Sequence, residues 1–410
     1  MRELLNLSGA GAHRGAEAIQ VDPDSKATLG IYVHIPFCRH KCPFCDFYTF
    51  PIVRGDTIPN YFRALLGEIG RFEEFGWSGD RSVSSVYFGG GTPSLVEADD
   101  VASILKKIRS VFSVRSGAEV TLEINPEDVT PEKARAWRSL GINRASLGVE
   151  SLGKGELRRL ERLHDPEQAR QAFRHLRDVG FSNVNVDLMH GLEGQDLIHW
   201  KETLTEVIAW NPEHVSAYGL TIEEKTRYAK EQRLGKLFLP PEEIQAELLM
   251  ESARVLAEAG YRRYEISNFA RPGFESRHNL IYWTGGEYWG VGVAAHSFQK
   301  RNGTFTRWWN PRDLRSYVRA LLAASDLPRE SETITPQVHW GERLMTGLRL
   351  IRGVSLAELE AEIGVPIPKT TADGIRRFSG TGHLRTEEGH LTLSSAGILI
   401  SNEIFRGLLS

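Results

Sequence analysis

The chain has 410 residues, is 41% hydrophobic and 25% charged, and carries a formal net charge of −3. These are globular proportions, and the near-balanced charge gives no electrostatic case for nucleic acid or an anionic membrane as partner. No apolar run reaches the roughly eighteen residues of a membrane span, no signal segment opens the chain, and three cysteines exclude a disulfide scaffold, so a reducing cytoplasm is expected.

Residues 1 to about 28 mix Gly, Ala, Asp and Ser without a period and read as a mobile leader. Strand patterns then alternate with amphipathic helical ones. The strands are expected at Ile31–Ile35, Val83–Phe88, Val120–Ile124, Arg144–Val149, Val184–Met189 and His214–Tyr218. The helices are expected at Tyr61–Glu74, Asp99–Phe112, Pro131–Leu140, Pro166–Val179, Leu197–Ala209 and Pro241–Ala259. Six such rounds argue for a parallel sheet with right-handed crossovers, two rounds short of a closed eight-fold barrel. Periodicity alone does not choose between an open sheet and a partial barrel.

An aromatic-rich stretch follows over 241–330. From about Pro336 short helices give way to a hairpin over Leu384–Arg385 and Leu391–Leu393, then a helix from Ser394 to Leu408. The expected divisions are a leader (1–28), an α/β unit (29–240), an aromatic-rich unit closing it (241–330) and a small, mainly α unit (331–410).

All three cysteines fall within eight positions, as Cys38-x3-Cys42-x2-Cys45, directly after the first strand. Three thiolates on one loop can hold three corners of a [4Fe–4S] cluster and leave the fourth iron open. Phe37, Phe44, Phe47 and Tyr48 interleave them and are expected to keep water away. Two other readings stand beside this one: a zinc site completed by His34 or His40, and three unrelated buried thiols. Against both, the cysteines cluster tightly and no second ligand pair exists.

In parallel α/β folds the chemistry gathers at the carboxyl ends of the strands. Gly89-Gly90-Gly91-Thr92-Pro93 stands there after the second strand. It is neither a dinucleotide fingerprint nor a P-loop, but three glycines let backbone approach a ligand closely; the alternative is a plain turn. Glu123 ends the third strand, Glu150 the fourth, and Asp187 lies in the fifth. Taken alone, Glu123 is more often a solvated acid than a functional one, and Asp187 also reads as an N-cap and Arg162 as a surface arginine on a helix.

At the cysteine loop the chain resembles the radical S-adenosylmethionine (radical SAM) enzymes, which carry this C-x3-C-x2-C spacing. The resemblance implies a partial (β/α)6 barrel and SAM as the occupant of the open iron. It also implies reductive cleavage of SAM to methionine and a 5′-deoxyadenosyl radical. By position it places Tyr32, Phe44, Gly90, Gly91, Thr92, Glu123, Glu150, Arg162 and Asp187 around SAM. Glu150 departs from the glutamine usual there, and an ionised Glu cannot donate a hydrogen bond.

The runs Tyr32–Cys38, the Gly89–Gly91 turn, Glu123-Ile124-Asn125-Pro126 and Asp187-Leu188-Met189-His190-Gly191-Leu192 together resemble the coproporphyrinogen dehydrogenase-like branch. Two groups compete within it: the oxygen-independent coproporphyrinogen III oxidases, and a haem-chaperone group thought to hand haem to acceptor proteins. The oxidases carry a fourth cysteine two residues after the third, where this chain has Phe47, and a longer N-terminal arm. The positive sign is His278-Asn279-Leu280-Ile281-Tyr282-Trp283, which matches the H-N-x-x-Y-W motif of the chaperone group.

A neutral imidazole suits haem iron, and Tyr282 and Trp283 offer flat faces for a porphyrin; the alternative is a loop histidine among core aromatics. No C-x-x-C-H for covalent haem attachment occurs. His296 is expected to be buried and hydrogen-bonded, a second metal-facing histidine being the alternative. The tail resembles that branch's winged-helix-like C-terminal domain, without the basic face of a DNA reader. The chaperone reading implies as partners haem, acceptor proteins at a membrane surface, an electron donor and a second copy in a homodimer. Under it SAM and the cluster serve folding, dimerisation or gating; under the alternative the chain decarboxylates coproporphyrinogen III.

Overall fold

The computed structural model describes residues 28–52, 56–78, 81–301 and 303–409. The expected leader lies outside these apart from Thr28, which opens the first strand.

The six expected strands all form: β1 (Thr28–Ile35), β2 (Ser82–Gly90), β3 (Ser113–Ile124), β4 (Arg144–Glu150), β5 (Val184–His190) and β6 (His214–Gly219). They pair in parallel in chain order. Between them run α1 (Thr57–Gly70), α2 (Ala98–Val111), α3 (Pro131–Ser139), α4 (Lys154–Arg159), α5 (Pro166–Asp178) and α6 (Leu197–Ala209), and α7 (Arg227–Arg233) and α8 (Glu242–Glu258) follow β6. The helix boundaries have local causes. Asp165 and Gln168 close a reciprocal capping box at the head of α5, with Pro166 at its first turn.

The aromatic-rich stretch extends this sheet at both edges. It supplies β7 (Arg262–Arg263), β8 (Asn268–Ala270), β9 (Glu287–Val291), β10 (His296–Arg301) and β11 (Thr304–Trp309), followed by β12 (Glu330–Ile334). The sheet order is β12-β11-β10-β9-β1-β2-β3-β4-β5-β6-β8-β7. β9 lies parallel to β1, so seven strands run in one direction where sequence periodicity predicts six. β9 escapes that periodicity because its aromatics, Tyr288 and Trp289, read as generic core.

Each parallel strand alternates in a way that matters for the site. Val120, Leu122 and Ile124, then Ala145, Leu147 and Val149, then Val184, Val186 and Leu188 belong to the main hydrophobic core. The residues between them are polar: Thr121 and Glu123; Arg144 and Ser146; Asn185 and Asp187. Sheet alternation sends these to the other face, the concave side of the curled sheet. A parallel sheet covered by helices on both faces reads as continuous apolar runs; polar alternation marks a lumen.

The tail forms α11 (Pro336–Gly347), α12 (Leu356–Ile363) and α13 (Lys369–Gly380) with a small sheet of β13 (Val354–Ser355), β15 (His390–Leu393) and β14 (Leu384–Glu387), in that order. It has its own core around Trp340, Leu344, Phe378, Leu391 and Ile404, to which Ile266 contributes from the aromatic-rich stretch. The expected single helix over 394–408 is two, α14 (Ser395–Leu399) and α15 (Ser401–Leu409), parted at Ile400. Two further helices, α9 (Arg277–Trp283) and α10 (Leu314–Leu322), complete the main unit. No helix among the described residues is long and apolar enough to cross a membrane.

Candidate radical SAM site

The cysteine loop leaves the carboxyl end of β1 and is tied down at several points. Phe37–Cys38 pairs in parallel with Phe50–Pro51, and Phe50 N and Ile52 N donate to the carbonyls of Pro36 and Cys38 at 2.7 and 2.9 Å. Inside the loop Cys45 N donates to Cys42 O at 3.2 Å, and Tyr228 N on α7 donates to Pro43 O at 3.0 Å. All three thiols are free; Cys38 is buried, while Cys42 and Cys45 are half-buried. Burial pushes each thiol's pKa up, so binding a metal must release protons. Among the described residues no three His, Cys, Asp or Glu side chains converge as ligands of one ion.

The triple glycine explains itself through what a side chain would strike. A Cβ on Gly89 would meet Tyr32 and Tyr87, each at 2.9 Å. On Gly90, whose φ is +119°, it would meet the His34 ring at 2.5 Å. On Gly91 it would meet Phe37 O at 2.7 Å and Cys38 Sγ at 3.0 Å. The turn lies flush against the loop, with Gly91 N and Thr92 N donating to Ile35 O and Phe37 O, each at 2.8 Å. Thr92 itself is buried, and its hydroxyl lies within 3.4 Å of Asn125 Nδ2.

His34 links this corner to the lumen. Its Nε2 faces the Tyr48 carbonyl at 2.9 Å and must carry the hydrogen, so Nδ1 accepts from the Tyr32 hydroxyl at 3.0 Å. Burial lowers the imidazole to about 4, keeping it neutral. Glu123 receives Tyr87 OH at 2.9 Å and Gly90 N at 3.0 Å; burial pushes its carboxyl up to about 7 although both bonds favour the ionised form.

Arg162 lies in the connection between α4 and α5, beside the cysteine loop, and is not the surface helix residue that it reads as alone. Nη1 lies 3.8 Å from Cys42 Sγ, while Nη2 donates to Asn125 Oδ1 at 2.8 Å and Gly148 O at 3.1 Å. Glu150 closes the same corner in the left-handed region, φ +62°, at an irregularity in the β4–β5 register. A non-glycine residue held there marks a site where local strain is retained. Its carboxylate accepts from Tyr218 OH at 2.5 Å; burial raises its pKa and the Arg162 guanidinium opposes that. Asp187 is no N-cap: it lies within β5 and accepts from Ser146 Oγ at 3.0 Å and Asn185 Nδ2 at 2.8 Å.

The aromatic jacket needs correction. Phe37 is buried and Phe44 packs beside Tyr228, ring centroids 6.5 Å apart, but Phe47 is 67% exposed and shields nothing. Lys41 Nζ on its carbonyl holds the loop so that the ring points outward. His40 is exposed and paired with Glu161, away from a ligand's role. His296 is exposed and stacked on Trp309 at 5.4 Å, not buried and hydrogen-bonded as expected. It opens β10, the third strand in from the β12 edge of the sheet.

The H-N-x-x-Y-W run is helix α9, packed across the amino ends of β2 and β3. Glu119, at the start of the inward set on β3, accepts from Arg277 N and His278 N at 3.0 Å each and so satisfies the first orphan amides of the helix. His278 is 1% exposed. Its Nδ1 bonds Ser85 Oγ at 2.8 Å, its Nε2 bonds Tyr282 OH at 2.8 Å, and its ring stacks on Tyr87 at 5.0 Å. Burial first, and Arg144 second, lower it to about 3. Both ring nitrogens are thus engaged, and an iron would have to displace Tyr282 to reach Nε2. Trp283 lies under the Arg349 guanidinium at 4.6 Å.

Two ends of one lumen are therefore furnished: the cysteine loop with the glycine turn at the carboxyl end, and α9 at the amino end. The donor set at the upper end fits an iron–sulfur cluster. It offers three thiols on an anchored loop, a cation beside one sulfur and a glycine keeping space above another.

Comparison with known proteins agrees. The Radical SAM superfamily model matches residues 32–207, and the HemN C-terminal domain model matches 334–400. The chain is 31% identical over 380 residues to the heme chaperone HemW of Bacillus subtilis, covering 92% of this chain and 98% of that one. It is 34% identical over 384 residues to HemW of Mycobacterium tuberculosis, covering 93% and 95%. The chain belongs to the HemW family of radical SAM proteins. Among solved structures, the Escherichia coli coproporphyrinogen III oxidase HemN superposes with a TM-score of 0.78 at 23% identity, over 94% of this chain and 91% of that one. That likeness shows the shared fold: a radical SAM barrel carrying a HemN-type C-terminal unit. Membership of the superfamily makes a [4Fe–4S] cluster and SAM the cofactors of a HemW protein.

Tyr87, Tyr218, Ser146, Asn185 and Arg144 are lumen residues that motif reading misses. The period-two alternation of polar residues along β2 to β6 is the signal that identifies them.

Proposed function

We propose that this HemW-family chain is a haem chaperone whose radical SAM site serves haem handling and not porphyrinogen decarboxylation. Cys38, Cys42 and Cys45 hold the cluster; Tyr32, Phe44, Gly90, Gly91, Thr92, Glu123, Glu150, Arg162 and Asp187 surround SAM; His278, Tyr282 and Trp283 form the haem side. When bound, the cluster and SAM supply one-electron chemistry at a sulfonium. The chain's own part is positional. The glycine turn presents bare backbone, Arg162 compensates negative charge at Cys42, and Glu123 offers a carboxyl poised to exchange a proton near neutrality. Tyr32, His34 and Tyr48 hold the loop to β1.

The observation that carries this reading is the relation to HemW proteins over more than nine-tenths of the chain. Phe47 in place of the oxidases' fourth cysteine accords with it. Haem acceptors, an electron donor for the cluster, a homodimer and a cytoplasmic location belong to the same proposal. So does the working division into 29–240, 241–330 and 331–410.

The test supplies reconstituted protein with coproporphyrinogen III, SAM and reductant, and in parallel titrates haem. Haem binding without protoporphyrinogen is expected. One or more equivalents of protoporphyrinogen per chain would overturn the chaperone reading.

A further inference from the structure

The lumen between the two furnished ends contains a cavity of about 260 Å³, smaller than the roughly 300–1,000 Å³ of drug-sized ligand sites. Arg144, Arg349, Asp187, Glu265, Asn268 and Asn279 are among its walls. The two acids are already engaged. Asp187 is held by Ser146 and Asn185; Glu265 receives Ser267 N, Asn268 Nδ2 and, at 3.1 Å, Arg349 Nη2.

Arg144 is not engaged. It is 2% exposed, among the largest fully buried side chains, yet its guanidinium has no hydrogen bond or ion pair among the described residues. Its Nε is sealed from solvent without an acceptor. Burial and, second, Arg144 lower both His214 and His278, so the imidazoles beside it stay neutral, and the two acids on the cavity walls bond other donors. A buried, permanently charged group without a partner is costly, and arginines in such positions are met by a planar anion that accepts two parallel N–H bonds.

We propose that Arg144 receives a carboxylate of the bound ligand in this cavity, and, given the haem reading above, that the carboxylate is a haem propionate. The cavity is sized for such an arm and not for a macrocycle. Asn279 stands on the same walls as an uncharged donor.

The experiment compares haem with its dimethyl ester on the full-length, cluster-loaded protein, in wild type, Arg144→Gln and Arg144→Lys. Wild type should bind haem about tenfold or more tightly than the ester. R144Q should lose that preference while binding the ester unchanged, and R144K should retain part of it. An unaltered haem-to-ester ratio in a folded R144Q would overturn the proposal. So would a loss of SAM affinity with the haem preference intact, which assigns the anion to the methionyl carboxylate. Glutarate serves as a haem-free probe. It should raise the melting temperature of wild type and not of R144Q, and equal shifts would count against the anion site. If wild type binds no haem but responds to glutarate in this way, the haem reading fails while the Arg144 anion site stands.

Discussion

Replacing Gly91 by alanine should damage the cluster loop out of proportion to the single methyl added. The new Cβ would sit 2.7 Å from Phe37 O, 2.9 Å from the Pro36 carbonyl carbon and 3.0 Å from Cys38 Sγ. Two of these are backbone atoms, locked by the bonds from Gly91 N to Ile35 O and from Thr92 N to Phe37 O, so no rotamer relieves the clash. Overpacking of this kind costs about 1–3 kcal/mol, and the yielding element would be the strand that delivers the first cysteine. Gly155 provides the control. It lies in α4, is exposed, and has nothing within 4 Å of its would-be Cβ. There the same substitution should stabilise, by about 0.5–1 kcal/mol, through helix propensity. The assay measures iron and sulfide per chain after anaerobic reconstitution, together with the thermal midpoint. Gly91→Ala should fall in both; Gly155→Ala should hold its iron and melt no lower than wild type. Equal iron content and equal midpoints in the two variants would refute the close-approach argument.

Cys42→Ser should abolish the broad visible absorbance of the cluster; a full [4Fe–4S] spectrum in that variant would remove the cysteine loop from the site. Tyr282→Phe deletes the only partner that His278 Nε2 has among the described residues, at a cost of about 1 kcal/mol. If His278 ligates haem iron, the variant should bind haem at least as tightly as wild type with an unchanged Soret band, and a shifted band would argue against it. Glu68 on α1 is fully buried, accepting from Gly292 N, Asn310 Nδ2 and Tyr317 OH, and burial pushes it up to about 7. A raised carboxyl means that the folded state binds the extra proton, so this contribution is complete below about pH 4.5 and is lost as pH rises through 7. A shift from 4.5 to about 7 is worth about 3 kcal/mol between those limits, and denaturant titrations at pH 5 and 8 should show a smaller difference for Glu68→Gln than for wild type.

The local motifs were legible because their physics is local. C-x3-C-x2-C needs only loop spacing, the six strands and six helices announce themselves by period, and Gly89–Gly91 marks close backbone approach in any context. Along a strand the alternation of Ser85, Tyr87 and Gly89 with Val86 and Phe88 already separates a polar face from an apolar one. The identity of the lumen follows from it once the sheet is known to curl.

Other features depended on pairings between residues far apart in sequence. β9 joins β1 across about 250 residues of chain, a pairing no window of periodicity contains. Phe47 sits in an aromatic run and yet faces outward, because Lys41 and the Phe50–Pro51 pairing set the turn. His278 sits in a motif that suggests an open ligand, while Ser85, Glu119 and Tyr282 close around it. Arg144 reads as an ordinary strand-end cation until the fold buries it without a partner. Composition and spacing determined which chemistry the chain can hold. Which groups are satisfied, and which still lack a partner, was decided by the tertiary structure, because hydrogen bonding and burial depend on neighbours that the chain order does not adjoin.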